Sequence, residues 1–374
     1  MSNKPEMREI ATTADGRDVT RGYVDPMAIL LPQDTVLLQR GGGNYDLYRE
    51  VLRDDQVASV FQQRRRAVVA REWEVVPGGE RRQDKAAADA LREWLSGVNL
   101  KLDDDEYARL PQPGWDAITD RMLYGVFYGF SMAECLWGRD GRHVTLDAIR
   151  VRDRRRFGFD GQMRPRLYTA EKPDGELLPP RKFWSFCTGA DHDDEPYGLG
   201  LAHWLYWPVF FKRNGIKFWL VFLEKFGQPT ATGKYPNNAE QAEKRRLLQA
   251  LQAIHTDSGI IVPEGMTIEL LEAARSGTAD YTALYDRMNA AITKVVLGHT
   301  GASDSTPGKL GSEDMAQDVR LDLVKADADL ICDSFNRTVV RWLTEWNYPN
   351  ARPPRVWRKI EDVEDLGQVA EREK

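Results

Sequence analysis

The sequence predicts an α+β protein in which helices and short strands share the first half and helices dominate the second. Residues 131–186 alternate between apolar and polar side chains, as half-buried strands do. Apolar residues recur at helical spacing along residues 198–226, 281–297 and 312–347. The last stretch has about 35 residues, which at about 1.5 Å each predict a rod of roughly 50 Å that needs partners along its length.

The first half begins with a polar segment, residues 1–26, which we expect to be a flexible arm because it has no apolar run. Residues 46–70 have one apolar face and predict a helix, and a strand is predicted at residues 71–76 before Pro77-Gly78-Gly79. Further helices are predicted at residues 84–95 and 115–129. Three Asp-Gly pairs then favour tight turns between strands: Asp140-Gly141, Asp160-Gly161 and Asp174-Gly175.

The second half opens with an aromatic helix. Its rings follow steps of three, four and seven, which place them on one helix face: Trp204, Trp207, Phe211, Phe218 and Phe222. Residues 239–254 predict a further helix, and residues 259–271 predict a hairpin. Ser312 is placed to cap the long last helix, with Glu313 and Asp314 in the first turn, where the helix dipole favours negative charge.

Length and charge limit the class of protein. A chain of 374 residues predicts two or more subdomains, since single cores stop growing near this size. The net charge of −6 argues against a wide surface that grips DNA phosphates. Cys135, Cys187 and Cys332 lie far apart, without metal-ligand spacing, and predict a reduced cytosolic compartment. Pro208 and several charged residues interrupt the most apolar segment, 199–226, so we expect no contact with a membrane.

Catalytic and metal-binding motifs were sought along the whole sequence. The run Asp191-His192-Asp193-Asp194-Glu195 has the atoms of a metal site, but neighbours in an extended segment point to opposite sides, so a solvated acidic loop is the favoured interpretation. Gly308-Lys309-Leu310 resembles the end of a P-loop, yet Ser303 stands where the motif needs glycine. We therefore predict no catalytic residues, no bound metal and no cofactor, and a protein that is not an enzyme.

Two arginine-rich runs stand out, residues 64–66 and 152–156. Charge runs are usually solvated faces, but interfaces favour arginine, so contact between subunits is the sharper alternative. The residues predicted for such an interface are Arg64, Arg65, Arg154, Arg155, Trp204, Trp207 and Phe211.

Three motifs occur in a fixed order around the aromatic helix. Pro196-Tyr197-Gly198-Leu199-Gly200 precedes it, Lys225-Phe226-Gly227-Gln228-Pro229 ends it, and Ile292-Thr293-Lys294-Val295-Val296-Leu297-Gly298 leads into a Gly/Ser loop. With the order of segments over residues 23–357, they make the chain resemble the portal proteins of tailed bacteriophages, most closely the Mu-like portal family. Because each motif consists of residues that determine shape, the resemblance rests on their order and spacing.

The resemblance implies the phage portal fold, in a dodecameric ring at one capsid vertex. Its parts would be an α/β wing at residues 27–197, stem helices at 198–226 and 280–298, a small α/β clip at 227–279, a tunnel loop at 299–311 and a long wing helix at 312–348. Residues 349–374 would begin a C-terminal crown. Family members commonly continue further, so the crown is expected to be reduced or truncated.

The resemblance also implies function and partners. The ring would conduct double-stranded DNA during packaging and ejection, dock the large terminase subunit and then head-tail adaptor or neck proteins, and contact the major capsid protein, with a scaffold protein as a further candidate. It would belong to the virion, after assembly in the host cytoplasm. The DNA-facing loop residues would be His299, Thr300, Gly301, Ser303, Asp304, Ser305, Thr306 and Lys309. The partner-docking residues of the clip would be Lys244, Arg245, Gln249, Glu264 and Met266.

The loop at 299–311 also fits this role physically. A conduit must touch DNA without holding it, and the loop carries Lys309 as its single lysine or arginine. The plain alternative for the loop is an ordinary connection between two helices. For the whole chain, two alternatives stay open: another head-tail connector ring protein, and a metal-dependent hydrolase that uses Asp191–Glu195.

Overall fold

A computed structural model of the protein describes residues 29–99, 114–226, 230–253, 267–271, 280–299 and 312–360. The chain divides into two compact units. Unit 1 comprises Met1–Pro208 and Ala290–Lys374, and unit 2 comprises Val209–Asn289. Unit 2 is therefore inserted into the sequence of unit 1.

Short helices open unit 1, and they differ in part from the predicted ones. The helix predicted at residues 46–70 is two helices, because the Asp54 carboxylate accepts hydrogen bonds from the Gln56 and Val57 amides and starts a new helix there. A preceding helix, capped by Asp34, was not predicted. The helices are α1 (Thr35–Gly41), α2 (Asp46–Leu52), α3 (Asp55–Val69), α4 (Arg82–Ser96), α5 (Trp115–Met122) and α6 (Tyr124–Tyr128).

Antiparallel strands form the β part of unit 1. Its strands are β1 (Trp73–Val76), β2 (Phe130–Asp140), β3 (His143–Arg152), β4 (Phe157–Phe159), β5 (Pro165–Leu167), β6 (Glu176–Leu177) and β7 (Phe183–Cys187). One sheet has the order β3-β2-β7 and another the order β4-β5-β6. The first Asp-Gly pair forms the predicted tight turn, between β2 and β3, where Gly141 adopts a φ of 55°. The other two pairs also connect strands that pair, but residues 168–175, which join β5 to β6, are too long for a tight turn.

The long helix packs across the core of unit 1. It consists of α10 (Ser312–Phe335), a π-helical segment at Asn336–Val340 and α11 (Arg341–Asn347), so the predicted extent of 312–347 is confirmed. Phe335 lies against Trp115 and Trp184, with ring centroids 4.4 and 4.9 Å away. A strand that was not predicted, β10 (Arg355–Arg358), pairs with β1 inside the segment assigned by resemblance to a crown.

Unit 2 contains two long helices and a small α/β part. The elements are α7 (Leu201–Phe226), whose residues from Val209 onward belong to unit 2, β8 (Thr230–Lys234), α8 (Gln241–Ala253), β9 (Thr267–Leu271) and α9 (Tyr281–Leu297), whose residues up to Asn289 do. Trp219 stacks on Tyr281 at 6.4 Å, and Lys212 lies over the Tyr285 ring at 4.9 Å, so the two helices run antiparallel.

The strand pairing of unit 2 differs from the predicted hairpin. The strand expected near residues 266–271 is β9, and it pairs with β8, a strand that was not predicted. The other predicted hairpin strand, residues 259–262, lies outside the described residues. Leu247 of α8 packs against Gly233 of β8, which joins the helix to the strand pair.

Candidate interaction surfaces

The motif at residues 196–200 holds a close contact between backbones in unit 1. Gly198 has a φ of 64°, and a Cβ added there would overlap the carbonyl oxygens of Thr188 and Gly129. A Cβ added to Gly200 would overlap the Phe127 carbonyl. Glycine is therefore required at these two positions, because the backbones at the ends of α6 and β7 and at the start of α7 come too close for a side chain.

The acidic run ends in a residue with a structural role. The Glu195 carboxylate accepts hydrogen bonds from the Tyr197 amide at 3.0 Å and the Gln33 amide at 3.2 Å. The Tyr197 hydroxyl in turn donates to the Leu30 carbonyl at 2.8 Å. Within the described part of the chain, no group of three or more His, Cys, Asp or Glu residues is arranged to hold a metal ion. The hydrolase alternative is not favoured.

A second polar cluster in unit 1 joins His203, Asp34 and Tyr48. Asp34 Oδ1 lies 2.7 Å from His203 Nδ1, and the Tyr48 hydroxyl donates to Asp34 Oδ2. Burial and the neighbouring Asp34 carboxylate raise the pKa of Tyr48 far above its ordinary value, so this hydroxyl does not ionise. Because Asp34 also caps α1, the cluster fixes the start of α1 against α7.

Two of the predicted interface arginines have partners within the chain. Arg64 is buried and forms two hydrogen bonds to the Asp327 carboxylate, at 2.6 and 2.9 Å. Arg65 is buried, pairs with Asp120 and lies 4.3 Å from the centre of the Tyr124 ring. The run at residues 64–66 is thus not simply a solvated face, and a direct subunit contact by these two side chains stays untested.

The other two predicted arginines lie at the end of β3. The Arg154 guanidinium is 3.6 Å from the centre of the Tyr128 ring. Arg155 pairs with Asp153 at 2.7 Å and with Asp46 at 2.9 Å. Arg155 is exposed and Arg154 half-buried, so both border a surface of unit 1 that another molecule can reach.

The aromatic helix α7 presents much of its apolar surface to solvent. Five of its large side chains are at least half exposed: Trp204, Phe211, Phe218, Leu220 and Val221. Trp207 and Phe222 are also exposed. Large apolar side chains are usually buried in a protein core. An exposed, contiguous apolar surface on a helix therefore indicates an interface. No helix in the described part of the chain combines the length and apolarity needed to span a bilayer.

Some of the residues predicted to face DNA or to dock partners lie among the described residues. His299 follows α9, and Gly298, with a φ of 78°, ends that helix. Arg245 and Gln249 are exposed on α8, and Lys244 lies over the Tyr235 ring at 4.9 Å. The remaining predicted residues lie outside the described residues: Thr300, Gly301, Ser303, Asp304, Ser305, Thr306, Lys309, Glu264 and Met266.

Comparison with known proteins identifies the family. Residues 45–374 match the family described as the portal protein of Mu bacteriophage. The chain belongs to this family. The portal protein of Escherichia phage Mu is 30% identical over 77% of this chain and 54% of its own length. Mu-like prophage FluMu protein gp29 of Haemophilus influenzae is 28% identical over 85% of this chain and 60% of its own length. The chain thus spans little more than half the length of these Mu-like relatives.

Solved structures confirm the portal fold expected from the resemblance. A chain of the neck of an empty gene transfer agent particle, computed with C6 symmetry, gives a TM-score of 0.59 at 11% identity, over 92% of this chain and 89% of that one. The native neck, computed with C12 symmetry, gives a TM-score of 0.57 at 12% identity, with the same coverage. At such low identity the likeness concerns the fold alone.

Proposed function

We propose that the chain is a structural portal protein, which forms a ring at one capsid vertex and conducts double-stranded DNA into and out of the head. Membership of the Mu portal family over residues 45–374 is the observation that carries this proposal. Copies of the chain would close into a ring, most simply a dodecamer. The C6 and C12 symmetries of the two gene transfer agent necks support ring closure for a chain of this fold.

The division of the chain supports an assignment of parts. Unit 2 contains parts of α7 and α9, which would be the stem helices, and residues 227–279, which would be the clip. Residues 27–197 and the long helix at 312–348 would form the wing, and residues 299–311 the tunnel loop. The clip would dock the large terminase subunit during packaging and neck proteins afterwards. The major capsid protein, and a scaffold protein, would contact the outer wing.

The exposed apolar surface of α7 supports burial between subunits. Phe211 is 50% exposed and Phe218 is 61% exposed. Full burial of an exposed side chain of this size contributes about 1.5–3 kcal/mol, so covering the exposed half of each ring contributes on the order of 1 kcal/mol. A ring repeats this gain at every interface, which stabilises an assembly whose single chains would expose the same apolar helix.

The charge of the chain fits a conduit. Each firm contact between a basic side chain and a phosphate would resist movement of the DNA, and the chain has a net charge of −6. In the described residues, no group of three or more His, Cys, Asp or Glu residues is arranged to hold a metal ion, and burial raises the pKa of Cys135 and Cys332 to about 12. Membership of the Mu portal family supports a structural rather than an enzymatic role.

Electron microscopy of the purified chain tests the proposal. Rings with a central opening are expected, and chains that stay monomeric under all conditions would contradict it. The double variant Phe211→Ser, Phe218→Ser should lose rings while single chains keep their helix content. Leu177→Ser, an equally exposed apolar site on β6, is the matched control and should assemble normally.

A further inference from the structure

An arginine-rich cavity lies on unit 1. It has a volume of about 300 Å³ and is formed by α2, α5, α6, the end of β3 and the turn that follows it. Its charged lining side chains are Arg49, Arg121, Arg152, Arg154, Arg155 and Asp153. This concentration of positive charge is unexpected in an acidic chain.

Neighbouring carboxylates balance the cavity only in part. Arg49 and Arg155 share Asp46, at 3.2 and 2.9 Å, and Arg155 also pairs with Asp153. Arg152 pairs with Glu134 at 2.5 Å. Three carboxylates thus face five guanidinium groups, and Arg121 and Arg154 form no ion pair within the described ranges. The cavity keeps a positive surplus.

Arg154 gives the clearest indication that the cavity can accept an anionic group. Its Nε donates to the Phe130 carbonyl at 3.3 Å, and its guanidinium stacks on Tyr128. Burial lowers the pKa of Arg154, and the opposing effects of Tyr128, Tyr45 and the Asp153 carboxylate offset the lost hydration only in part. An anionic group placed in the cavity would offset this cost, and a carboxylate can take two parallel hydrogen bonds from each guanidinium.

A complementary acidic stripe runs along α10. Four aspartates follow steps of four, seven and four residues, which places them on one helix face: Asp318, Asp322, Asp329 and Asp333. Burial, together with the nearby Asp333, raises the pKa of Asp329 despite the presence of Lys325. Among the described residues, the Asp333 carboxylate pairs only with the exposed Arg337, at 3.8 Å. The stripe therefore keeps a negative charge that the neighbouring basic residues balance only in part.

The stripe and the cavity face away from each other within one chain. Asp327, on the opposite face of α10 from the stripe, reaches inward to Arg64 of α3. The next residue of α3, Arg65, points to Asp120 of α5, beside the cavity residue Arg121. Helix α3 thus lies between the two surfaces, so the stripe cannot reach the cavity of its own chain.

We propose that the aspartate stripe of one copy docks against the arginine-rich cavity of the next copy in the ring. The inference rests on the proposed function, because a ring with head-to-tail contacts brings two different surfaces together at each interface. The five cavity arginines would then bind the aspartates of a second copy of this chain. This contact would set the direction in which the ring closes, in addition to the apolar contacts of α7.

Charge reversal tests the proposal. The cavity variant Arg49→Glu, Arg121→Glu and the stripe variant Asp322→Arg, Asp333→Arg should each form at least tenfold fewer rings than the unaltered chain in electron micrographs. An equal mixture of the two should regain rings, since each reversed surface then meets its complement. A chain with all four substitutions should assemble alone. Arg139→Glu, Arg142→Glu, on the exposed β2–β3 turn, is the matched control and should assemble normally.

The outcomes separate the two proposals. Rings from the unaltered chain and from both reversal variants alike would overturn the docking contact and leave the portal function standing. Failure of the mixture to regain rings, with circular dichroism showing both variants folded, would also overturn the contact. An absence of rings from the unaltered chain would overturn both proposals. A cavity variant that assembles normally but loses binding of inorganic phosphate would show that the cavity holds a phosphate ligand instead.

Discussion

Arg64 and Asp327 form a buried ion pair that joins α3 to α10, with Nε–Oδ2 at 2.6 Å and Nη2–Oδ1 at 2.9 Å. The Arg64 Nη1 also donates to the Val296 carbonyl at 2.7 Å, near the end of α9. One side chain thus connects three helices of unit 1, including the two that flank residues 300–311.

Replacement of Asp327 by alanine should leave the Arg64 charge buried without its partner. We expect the free energy of unfolding to fall by about 3–5 kcal/mol, measured by urea denaturation followed by circular dichroism. Asp322→Ala, on the exposed face of the same helix, is the control and should change stability by less than about 0.5 kcal/mol. A similar small loss in Asp327→Ala would contradict a structural role for the pair.

Replacement of Gly198 by alanine tests the close backbone contact. Gly141 also has a positive φ, but a Cβ added there meets nothing within 4 Å. Gly141→Ala should therefore cost about 1–2 kcal/mol from backbone strain alone. Gly198→Ala should cost about 2 kcal/mol more, because the Thr188 and Gly129 carbonyls must move. Equal melting temperatures for the two variants would show that the contact relaxes without cost.

The stability of unit 1 at low pH should depend on Asp160. Burial raises the pKa of this carboxyl, but hydrogen bonds from Arg164, Arg166 and the Gln162 amide outweigh it and leave the pKa below its ordinary value. The carboxylate therefore stabilises the fold above about pH 4, its unfolded pKa, and this contribution is lost as the pH falls through the lower folded value.

The variant Asp160→Asn isolates this effect. It should be less stable than the unaltered chain at pH 7, and the difference between the two should shrink from pH 5 to pH 3. Asp174→Asn, at the exposed turn between β5 and β6, is the control and should show no such convergence. A difference that stays constant with pH would assign the loss to packing instead.

Deletion of residues 303–306 tests the predicted tunnel loop. The flanking elements α9 and α10 are held to α3 by Arg64, so rings should form with normal symmetry in electron micrographs. DNA packaging, measured as nuclease-protected DNA per particle, should fall at least tenfold. Normal packaging by the shortened chain would mean that another element faces the DNA.

The sequence predicted most helices because their apolar periodicity is long. The stretches at 201–226, 281–297 and 312–347 each repeat the pattern over several turns, and tertiary contacts only adjust their ends. The split near Asp54 is hard to predict because the apolar pattern continues across it, although an aspartate followed by a polar turn is typical of a helix cap.

Short strands and buried charges were harder to predict. Strands β8 and β10 have four or five residues and owe their structure to partners far along the chain. The arginine run at 64–66 gives no sign that Arg64 turns inward, since only the distant Asp327 makes this favourable. The cavity shared by Arg49, Arg121 and Arg154 arises in the same way, from segments that only the fold brings together.

The pairing of β1 with β10 has a consequence for synthesis. Trp73 stands opposite Arg358, whose buried guanidinium also reaches the Arg71 carbonyl and Asp116. The ribosome must therefore translate about 280 codons after β1 before β10, the strand that pairs with it, is complete. The inserted unit, made in between, has its own strand pair and can mature first. Unit 1 should thus complete its fold only after β10 has been synthesised.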